Sequence, residues 1–235
     1  VFGENNYPHI LKNLNFDNIQ KILKHDQTVI IGATKIINKE YFNSLININD
    51  SNVSYFDKKI LVPFGEFLPF RKYLKFLIPI SGQSDFTEGK NKRLINIDDK
   101  FSYIPIICYE IVFYWKLINK INSNSNFVLN ITNDTWFGNN LGPYQHFYLT
   151  KLRAAEFNKD LIRVSNNGIS GLFNNNGKII ANTELNKKQT LSKTIYIGRN
   201  NNYYKVHLVL KVYFFVILIL FFLINFIKYN DRSKI

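Results

Sequence analysis

The stretch Phe101-Ser-Tyr-Ile-Pro-Ile-Ile-Cys-Tyr-Glu110 decides the fold of this 235-residue chain. Its apolar half, Tyr103 to Ile107, predicts a buried strand that ends at Cys108, the only cysteine. A second apolar run, Ile111 to Trp115, predicts a helix that begins directly after the strand. Helix N-terminal amides stabilise a thiolate, so this position favours a nucleophile. A lone cysteine is, however, more often a small buried hydrophobic residue. Residues at the ends of other strands are needed to choose between a nucleophile and a structural cysteine.

The composition describes a folded and basic protein. Hydrophobic residues make up 46% of the chain and aromatic residues 16%, which argues against disorder. A single cysteine excludes an intramolecular disulfide bond. The net charge of +13 suits an anionic partner such as nucleic acid, anionic lipid or an acidic substrate. The sequence has no zinc-finger spacing, phosphate loop or RNA-binding signature, and its basic residues are scattered, so we expect no nucleic-acid partner.

The first residue is Val, and the chain contains no Met. Because translation starts at Met, we expect the chain to begin inside a longer protein or after a removed segment.

Charged residues stand at the ends of two further predicted strands. Glu4 follows Val1-Phe-Gly3, which looks like the end of a strand. Lys58 precedes a short apolar strand, which Pro63 and Gly65 end just before Glu66. Residues at strand ends of an α/β sheet converge on one site, so these side chains are candidates for catalysis. Each of them, taken alone, is equally typical of a solvated surface residue.

Residues 67–80 mix large apolar side chains, including Phe67 and Phe70, with basic ones. The pattern is typical of an amphipathic arm that lies on a lipid bilayer. It is equally typical of a surface helix whose apolar side packs inward.

The remaining pattern is that of an α/β protein. We predict helices over 15–24, 115–125 and 149–158, and a loop over 81–100. Buried or alternating residues predict strands over 28–34, 41–48, 126–132, 161–165, 169–173 and 178–181. Gly32, within the strand predicted over 28–34, indicates a close approach of another backbone.

Two polar and aromatic stretches, 133–138 and 142–147, are predicted to form loops at the site. They contain Trp136 and His146. No second His or Cys stands at metal-ligand spacing from His146, so we expect a hydrogen-bonded structural or substrate-side residue and no metal.

The C-terminal region differs in kind from the rest of the chain. Residues 206–228 are almost entirely apolar and predict a transmembrane helix, with 229–235 as a cytoplasmic tail. The basic residues after residue 227 place the C-terminus in the cytoplasm by the positive-inside rule. The alternative is a buried core helix.

Taken together, these motifs resemble the apolipoprotein N-acyltransferase family of the nitrilase (carbon–nitrogen hydrolase) superfamily. Leu61-Val-Pro-Phe-Gly-Glu66 looks like the family's LVPFGE signature, and Ile107-Cys-Tyr-Glu-Ile111 looks like its nucleophile motif. Residues 133–138, 142–147 and 165–169 resemble its NDAWFG, GPxQHF and NNGI runs. Gly3 stands where the family has Pro in a Trp-Pro-Glu motif, and Pro8 lies at the family's usual distance.

The resemblance implies a nitrilase-like αββα sandwich over residues 1–200, followed by the transmembrane helix. It implies a ping-pong acyl transfer without a cofactor, from a phospholipid donor to a diacylglyceryl apolipoprotein acceptor. The implied roles are a Glu4 base, a Cys108 nucleophile and a Lys58 oxyanion donor that the Tyr109 amide assists. Supporting roles fall to Glu66 and Glu110, and substrate contacts to Trp136, His146, Phe67 and Phe70.

The resemblance also implies a monomer in the bacterial inner membrane, with its catalytic domain on the extracytoplasmic face. Two alternatives stay open from the sequence. One is a membrane-tethered amidase that delivers the acyl group to water. The other is an inactive, truncated remnant.

Overall fold

The computed structural model describes residues 1–74, 84–118, 121, 125–195 and 203–232, with side chains of the last range described over 212–226. The chain divides into two compact units, Val1–Arg199 and Asn200–Ile235.

Two β-sheets form the centre of the first unit. The first is an antiparallel sheet in the order β1-β2-β3, and the second has the order β4-β5-β6-β7-β8-β9. Strands β5, β6 and β7 run parallel, so their carboxyl ends meet at one edge. The strands are β1 Thr28–Ile37, β2 Glu40–Asn49, β3 Val53–Asp57, β4 Ile95–Asn96, β5 Ser102–Ile107, β6 Phe127–Asn133, β7 Leu161–Asn166, β8 Gly171–Phe173 and β9 Ile179–Asn182.

Helices cover the outer faces of both sheets. The helical elements of the first unit are α1 Asp17–Gln20, a 3-10 helix Cys108–Val112, α2 Tyr114–Leu117, a 3-10 helix Asp134–Phe137 and α3 Leu141–Phe157. Phe16, just before α1, packs with Ile46 and Ile48 on the outer face of the first sheet. Phe157 of α3 packs with Ile104 and Val128 on the outer face of the second.

The inner faces of the sheets pack on each other. Leu45 and Phe56 from the first sheet share one apolar cluster with Ile107, Leu129 and other residues of the second. This alternation of inward and outward side chains is what period-two strands dictate. The layer order is therefore helix, sheet, sheet, helix, as the predicted αββα sandwich requires.

Some predicted elements differ in extent. The helix predicted over 15–24 has only the single turn α1, since Ile22 is 78% exposed and a longer helix would bury little more. The region 81–100, predicted as a loop, contains β4 over its described part. Residues 169–173 form a strand only from Gly171 onward.

The stretch 142–147, predicted as a loop, is wholly helical. It forms the first part of α3, which begins eight residues before the predicted start. Pro143 lies in the first turn, where its missing N–H has no helical partner to lose, so the helix tolerates it. The stretch 133–138 is likewise mostly a 3-10 helix, Asp134–Phe137.

The predicted amphipathic arm is not helical where it is described. Phe67 forms an isolated bridge with Pro63, residues 69–73 form turns, and Phe70 adopts a left-handed backbone with φ of 52°. The rest of the arm, 75–80, lies outside the described residues, as do residues 119–120 and 122–124 of the helix predicted over 115–125.

The second unit contains one long helix, α4, Tyr203–Arg232, where the sequence predicts a transmembrane helix. Side chains of this helix are described only over 212–226. Among the residues that the structure describes, no helix is long and apolar enough to cross a membrane. The transmembrane helix over 206–228 and the tail over 229–235 therefore stay predictions.

Gly32 fixes the path of the N-terminal segment. The Gly32 amide donates to the Gly3 carbonyl over 3.1 Å, and the Phe2 amide donates to Ile30 over 2.8 Å. A Cβ atom at Gly32 would lie 2.5 Å from the Gly3 carbonyl oxygen and 2.6 Å from the Cα atom of Glu4. The close approach predicted at Gly32 is confirmed, and it sets where Glu4 lies.

We therefore expect Gly32→Ala to destabilise the first unit by about 1–3 kcal/mol, because the new methyl group meets backbone that must move. Urea unfolding measures the change. Gly65→Ala is the matched control, since a Cβ atom there meets nothing closer than 3.6 Å. Equal stability of the two variants would contradict this prediction.

Candidate active site

Glu4 and Lys58, which are 54 positions apart in sequence, lie together in the structure. Lys58 directly follows β3, and its side chain is 1% exposed. Its Nζ lies 3.8 Å from Glu4 Oε1 and donates to Glu66 Oε1 over 2.7 Å. The site is thus a buried cation between two carboxylates.

Cys108 stands at the sharp junction between β5 and the 3-10 helix that follows. Its φ of 51° is a left-handed conformation that non-glycine residues adopt rarely, and such strain is common where a side chain must be presented for chemistry. The buried thiol interacts with the Glu4 carboxylate and with the side chain of Thr132. The structure therefore brings together the three residues that the sequence predicts to be catalytic.

Burial, and not a helix N-terminus, dominates the acidity of the Cys108 thiol. Burial and the negative charge of Glu4 raise the pKa of Cys108 to about 12, against the opposing effect of Lys58. The helix after Cys108 is a five-residue 3-10 helix, which offers only a small dipole. At neutral pH the thiol keeps its proton, and its candidate base is a close neighbour.

The two charged partners have altered acidities too. Burial raises the pKa of the Glu4 carboxyl, although the Lys58 charge and the hydrogen bond from Asn43 oppose the change. Burial alone would lower the pKa of Lys58, but the charges of Glu4, Cys108 and Glu66 outweigh it and raise that pKa. Lys58 is therefore a permanent cation, and Glu4 is a stronger base than an exposed carboxylate.

Asn43, on β2, belongs to the site but was not predicted from the sequence. Its Nδ2 donates to Glu4 Oε1 over 2.6 Å and to Glu66 Oε1 over 3.0 Å. The alternation of side chains along β2 could have predicted it, because Asn43 and Asn47 share the inward face of the strand with Leu45. Polar side chains on the inner face of a sandwich need buried partners.

Glu66 is positioned by its own loop. Its Oε2 accepts from the Val62 amide over 2.9 Å, while Oε1 accepts from Lys58 and Asn43. Glu66 thus contacts Lys58 directly, as its predicted supporting role requires.

Glu110 joins the segment that carries Lys58 to the segment that carries Cys108. Its carboxylate accepts from the backbone amides of Lys59 and Ile60, at 2.9 and 3.0 Å, and of Ile107, at 2.9 Å. Arg93, in the region predicted as a loop, donates to both carboxylate oxygens at 3.0 and 2.7 Å. Burial raises the pKa of Glu110, but the Arg93 charge and these hydrogen bonds outweigh it, so that pKa is lowered.

His146 lies behind the site in a buried polar cluster. Its Nδ1 shares a 2.9 Å hydrogen bond with Asp134 Oδ1, and Arg163 pairs with the same carboxylate through Oδ2. The Nε2 atom of His146 is buried and has no hydrogen-bond partner among the described residues. The predicted hydrogen-bonded role is confirmed, and the predicted contact with substrate stays a prediction. Among the described residues no group of His, Cys, Asp and Glu can hold a metal ion.

The other predicted substrate contacts lie nearer the surface. Trp136 is 82% exposed and Phe70 is 77% exposed, whereas Phe67 is half-buried. The Tyr109 ring packs on the rings of Phe113 and His146, and its predicted amide contact to an oxyanion stays a prediction.

Comparison with known proteins identifies the fold and the relatives. The carbon–nitrogen hydrolase family model matches residues 15–210, which include Lys58 and Cys108 but not Glu4. The chain is 31% identical over 201 residues to an apolipoprotein N-acyltransferase of Vibrio cholerae, which covers 80% of the chain and 39% of the relative. It is 36% identical over 171 residues to a protein of the same name in Wigglesworthia glossinidia brevipalpis, covering 68% of the chain and 34% of the relative. The chain thus spans well under half the length of these relatives.

Solved structures share the fold. Saccharomyces cerevisiae Nit3, of the nitrilase superfamily, superposes with a TM-score of 0.51 at 14% identity, over 68% of this chain and 55% of that one. The glutamine-dependent NAD+ synthetase of Acinetobacter baumannii gives a TM-score of 0.54 at 16% identity, over 73% of this chain and 31% of that one.

We expect Glu110→Gln to destabilise the first unit by about 3 kcal/mol at pH 7, because Arg93 is left buried without a counter-charge. The loss should shrink in acid. A carboxyl with a lowered pKa in the folded state stabilises the fold fully when the pH is above its unfolded-state pKa of ~4.3. That contribution disappears as the pH falls through the lower pKa of the folded state.

Urea unfolding at pH 7 and at pH values below ~4 measures this difference. Glu184→Gln is the control, since that carboxylate is exposed and pairs with the equally exposed Lys187. A destabilisation by Glu110→Gln that stays constant with pH would contradict the prediction.

Proposed function

The chain belongs to the carbon–nitrogen hydrolase family, and from this premise we propose that it is an acyltransferase that works through a Cys108 thioester. The acyl donor is a phospholipid, and the acceptor is the N-terminal α-amino group of diacylglyceryl-cysteine in an apolipoprotein. The observation that carries the proposal is the buried contact of the Cys108 thiol with Glu4, beside Lys58. The names of the relatives support the choice of acceptor.

The first half-reaction makes the thioester. The Cys108 thiol gives its proton to Glu4 while Sγ attacks the ester carbonyl and forms a C–S bond. The Lys58 ammonium faces the negative oxygen of the tetrahedral intermediate; an oxyanion donor is worth about 3 kcal/mol in other enzymes. As the ester C–O bond breaks, the leaving lysophospholipid oxygen takes the proton from Glu4.

The second half-reaction consumes the thioester. Glu4, again a carboxylate, accepts a proton from the acceptor amine as its nitrogen attacks the thioester carbonyl. The C–S bond breaks, the amide forms, and the proton on Glu4 returns to Cys108. The raised pKa of Glu4 suits both directions of transfer, since the carboxyl must gain and lose a proton in each cycle.

Membrane association is part of the same proposal. The basic net charge of +13 attracts anionic lipid, and Phe70 and Tyr73 of the arm are 77% and 82% exposed. We place the catalytic unit on the extracytoplasmic face of the inner membrane, anchored by residues 206–228 as a monomer. In this arrangement Phe67, Phe70 and Trp136 contact lipid or acyl chain.

Incubation of the full chain with a phospholipid that carries a labelled acyl chain should label Cys108. We expect the label to be sensitive to hydroxylamine, to be absent in Cys108→Ser and to fall by about 10²-fold in Glu4→Gln and in Lys58→Ala. Mass spectrometry of the labelled peptide measures it.

Glu184→Gln controls for the loss of a carboxylate in general. Label that persists in Cys108→Ser would contradict the mechanism. Release of labelled fatty acid to water, without transfer to a diacylglyceryl peptide, would indicate an amidase-type hydrolase. Absence of any label from the folded wild-type chain would favour an inactive remnant.

The arm makes a separate prediction about the physical state of the donor. Phe70→Ser should reduce thioester formation from liposomes by about fivefold while leaving the rate with detergent-dispersed phospholipid unchanged. The exposed Phe70 ring gains apolar burial only when it inserts into a bilayer. Ile22→Ser is the matched control, since Ile22 is 78% exposed. An unchanged rate in liposomes would contradict lipid contact by the arm and would indicate an ordinary surface segment.

A further inference from the structure

Thr132 lies directly beside the nucleophile, at the end of the neighbouring strand. The parallel register of β5 and β6 pairs Ile107 with Ile131, so the next residues, Cys108 and Thr132, lie side by side. Thr132 is fully buried, and its side chain lowers the pKa of the neighbouring Cys108 thiol, against the larger effect of burial. Its hydroxyl donates to Asp134 Oδ1 over 3.2 Å. The Thr132 hydroxyl therefore sits between a sulfur atom and a carboxylate.

Asp134 does not depend on Thr132 for its hydrogen bonds. Its Oδ1 also shares a 2.9 Å hydrogen bond with His146 Nδ1, and its Oδ2 pairs with Arg163. Arg163 is fully buried and is held further by the side-chain oxygens of Asn130 and Thr150, at 3.0 and 3.1 Å. The Asp134 carboxylate would thus stay satisfied if the Thr132 hydroxyl turned elsewhere.

A hydroxyl has one proton and donates to one acceptor at a time. While Cys108 carries its own proton, the sulfur can donate and the Thr132 proton can point to Asp134. When that proton moves to Glu4, the sulfur becomes an anion and the stronger acceptor. Rotation about the Thr132 C–O bond then suffices to redirect the hydroxyl, without movement of any backbone.

We propose that Thr132 is a catalytic hydrogen-bond donor that stabilises the Cys108 thiolate, with Asp134 holding the hydroxyl in place while the thiol is protonated. The proposal rests on the proposed role of Cys108 as the nucleophile. Proton transfer to Glu4 breaks the S–H bond, and the Thr132 hydroxyl changes its acceptor from Oδ1 to Sγ while its O–H bond remains intact.

The charges around the sulfur explain why such a donor is needed. Glu4, Lys58 and Arg163 all act on Cys108 electrostatically, and Lys58 is already bonded to Glu66. The site must form the thiolate anion in a buried environment, and burial opposes the charge. A hydroxyl at Thr132 supplies a further donor to the anion and brings no charge of its own.

Alkylation of Cys108 by iodoacetamide tests the donor independently of acyl transfer, and the label is unambiguous because the chain has one cysteine. We expect Thr132→Val to lower the rate constant at pH 7.5 by about tenfold or more, the usual effect of a hydrogen bond to a charged group. Thr132→Ser should react within about twofold of wild type, since it keeps the hydroxyl.

Thr150→Val is the matched control. Thr150 is equally buried and contacts His146 and Arg163 of the same cluster, at 2.9 and 3.1 Å. We expect its alkylation rate to stay within about twofold of wild type. If Thr132→Val does not fold, the pair Thr132→Ser and Thr132→Ala decides, because those two variants differ only in the hydroxyl.

Equal alkylation rates within either pair of folded variants would overturn the proposal, as would an equal loss in Thr150→Val. A chain that is alkylated in the expected order yet transfers no acyl group would support the Thr132 donor and contradict the proposed acyltransferase instead.

Discussion

The buried carboxylate of Glu110 is the constraint on which the geometry of the site depends. It holds the backbone after Lys58 and the backbone before Cys108 at once, through three amide hydrogen bonds. These two segments come from different sheets, so the carboxylate also fixes the two layers of the sandwich at the edge where the site lies. Arg93 neutralises it from a third segment. Without this tie the distance between the lysine and the cysteine would depend only on apolar packing, which is less directional than charge-assisted hydrogen bonding.

The chemistry of the site follows from keeping charges paired in a buried space. Lys58 lies between Glu4 and Glu66, and Asn43 bridges the same two carboxylates. Burial and the negative charge of Glu4 both disfavour an anion at Cys108, so the thiol holds its proton, with its pKa raised to about 12. The proposed nucleophile is therefore formed only as its proton moves to Glu4. Coupling attack to proton transfer avoids a standing thiolate, which is the form that oxidants attack.

The sequence predicted the site better than it predicted the elements around it. Cys108, Lys58 and Glu66 were found because each lies in a short motif whose neighbours identify it. Asn43 and Arg93 were missed because their partners are distant in sequence, and Thr132 was missed because only the pairing of two strands in one sheet brings it beside Cys108. The start of α3 was misjudged for a local reason, since Gly142-Pro143 is a turn signal that the first turn of a helix also accepts. The spacing of apolar residues after Cys108 predicted a helix but could not distinguish a 3-10 helix from an α-helix.

Glu4 is the residue whose position the sequence determined least, since Gly3 stands where related motifs have Pro and the family match begins at residue 15. The structure gives a physical account of its place. The Glu4 carbonyl accepts from Asn166 Nδ2 over 2.7 Å, and its carboxylate accepts from the Asn133 amide over 2.9 Å. A side chain at Gly3 would collide with the Asn166 carboxamide, so glycine is the residue that this arrangement admits. Two contacts from the carboxyl ends of β6 and β7 thus hold Glu4 beside Lys58. The unusual Gly3 is compatible with this position of Glu4.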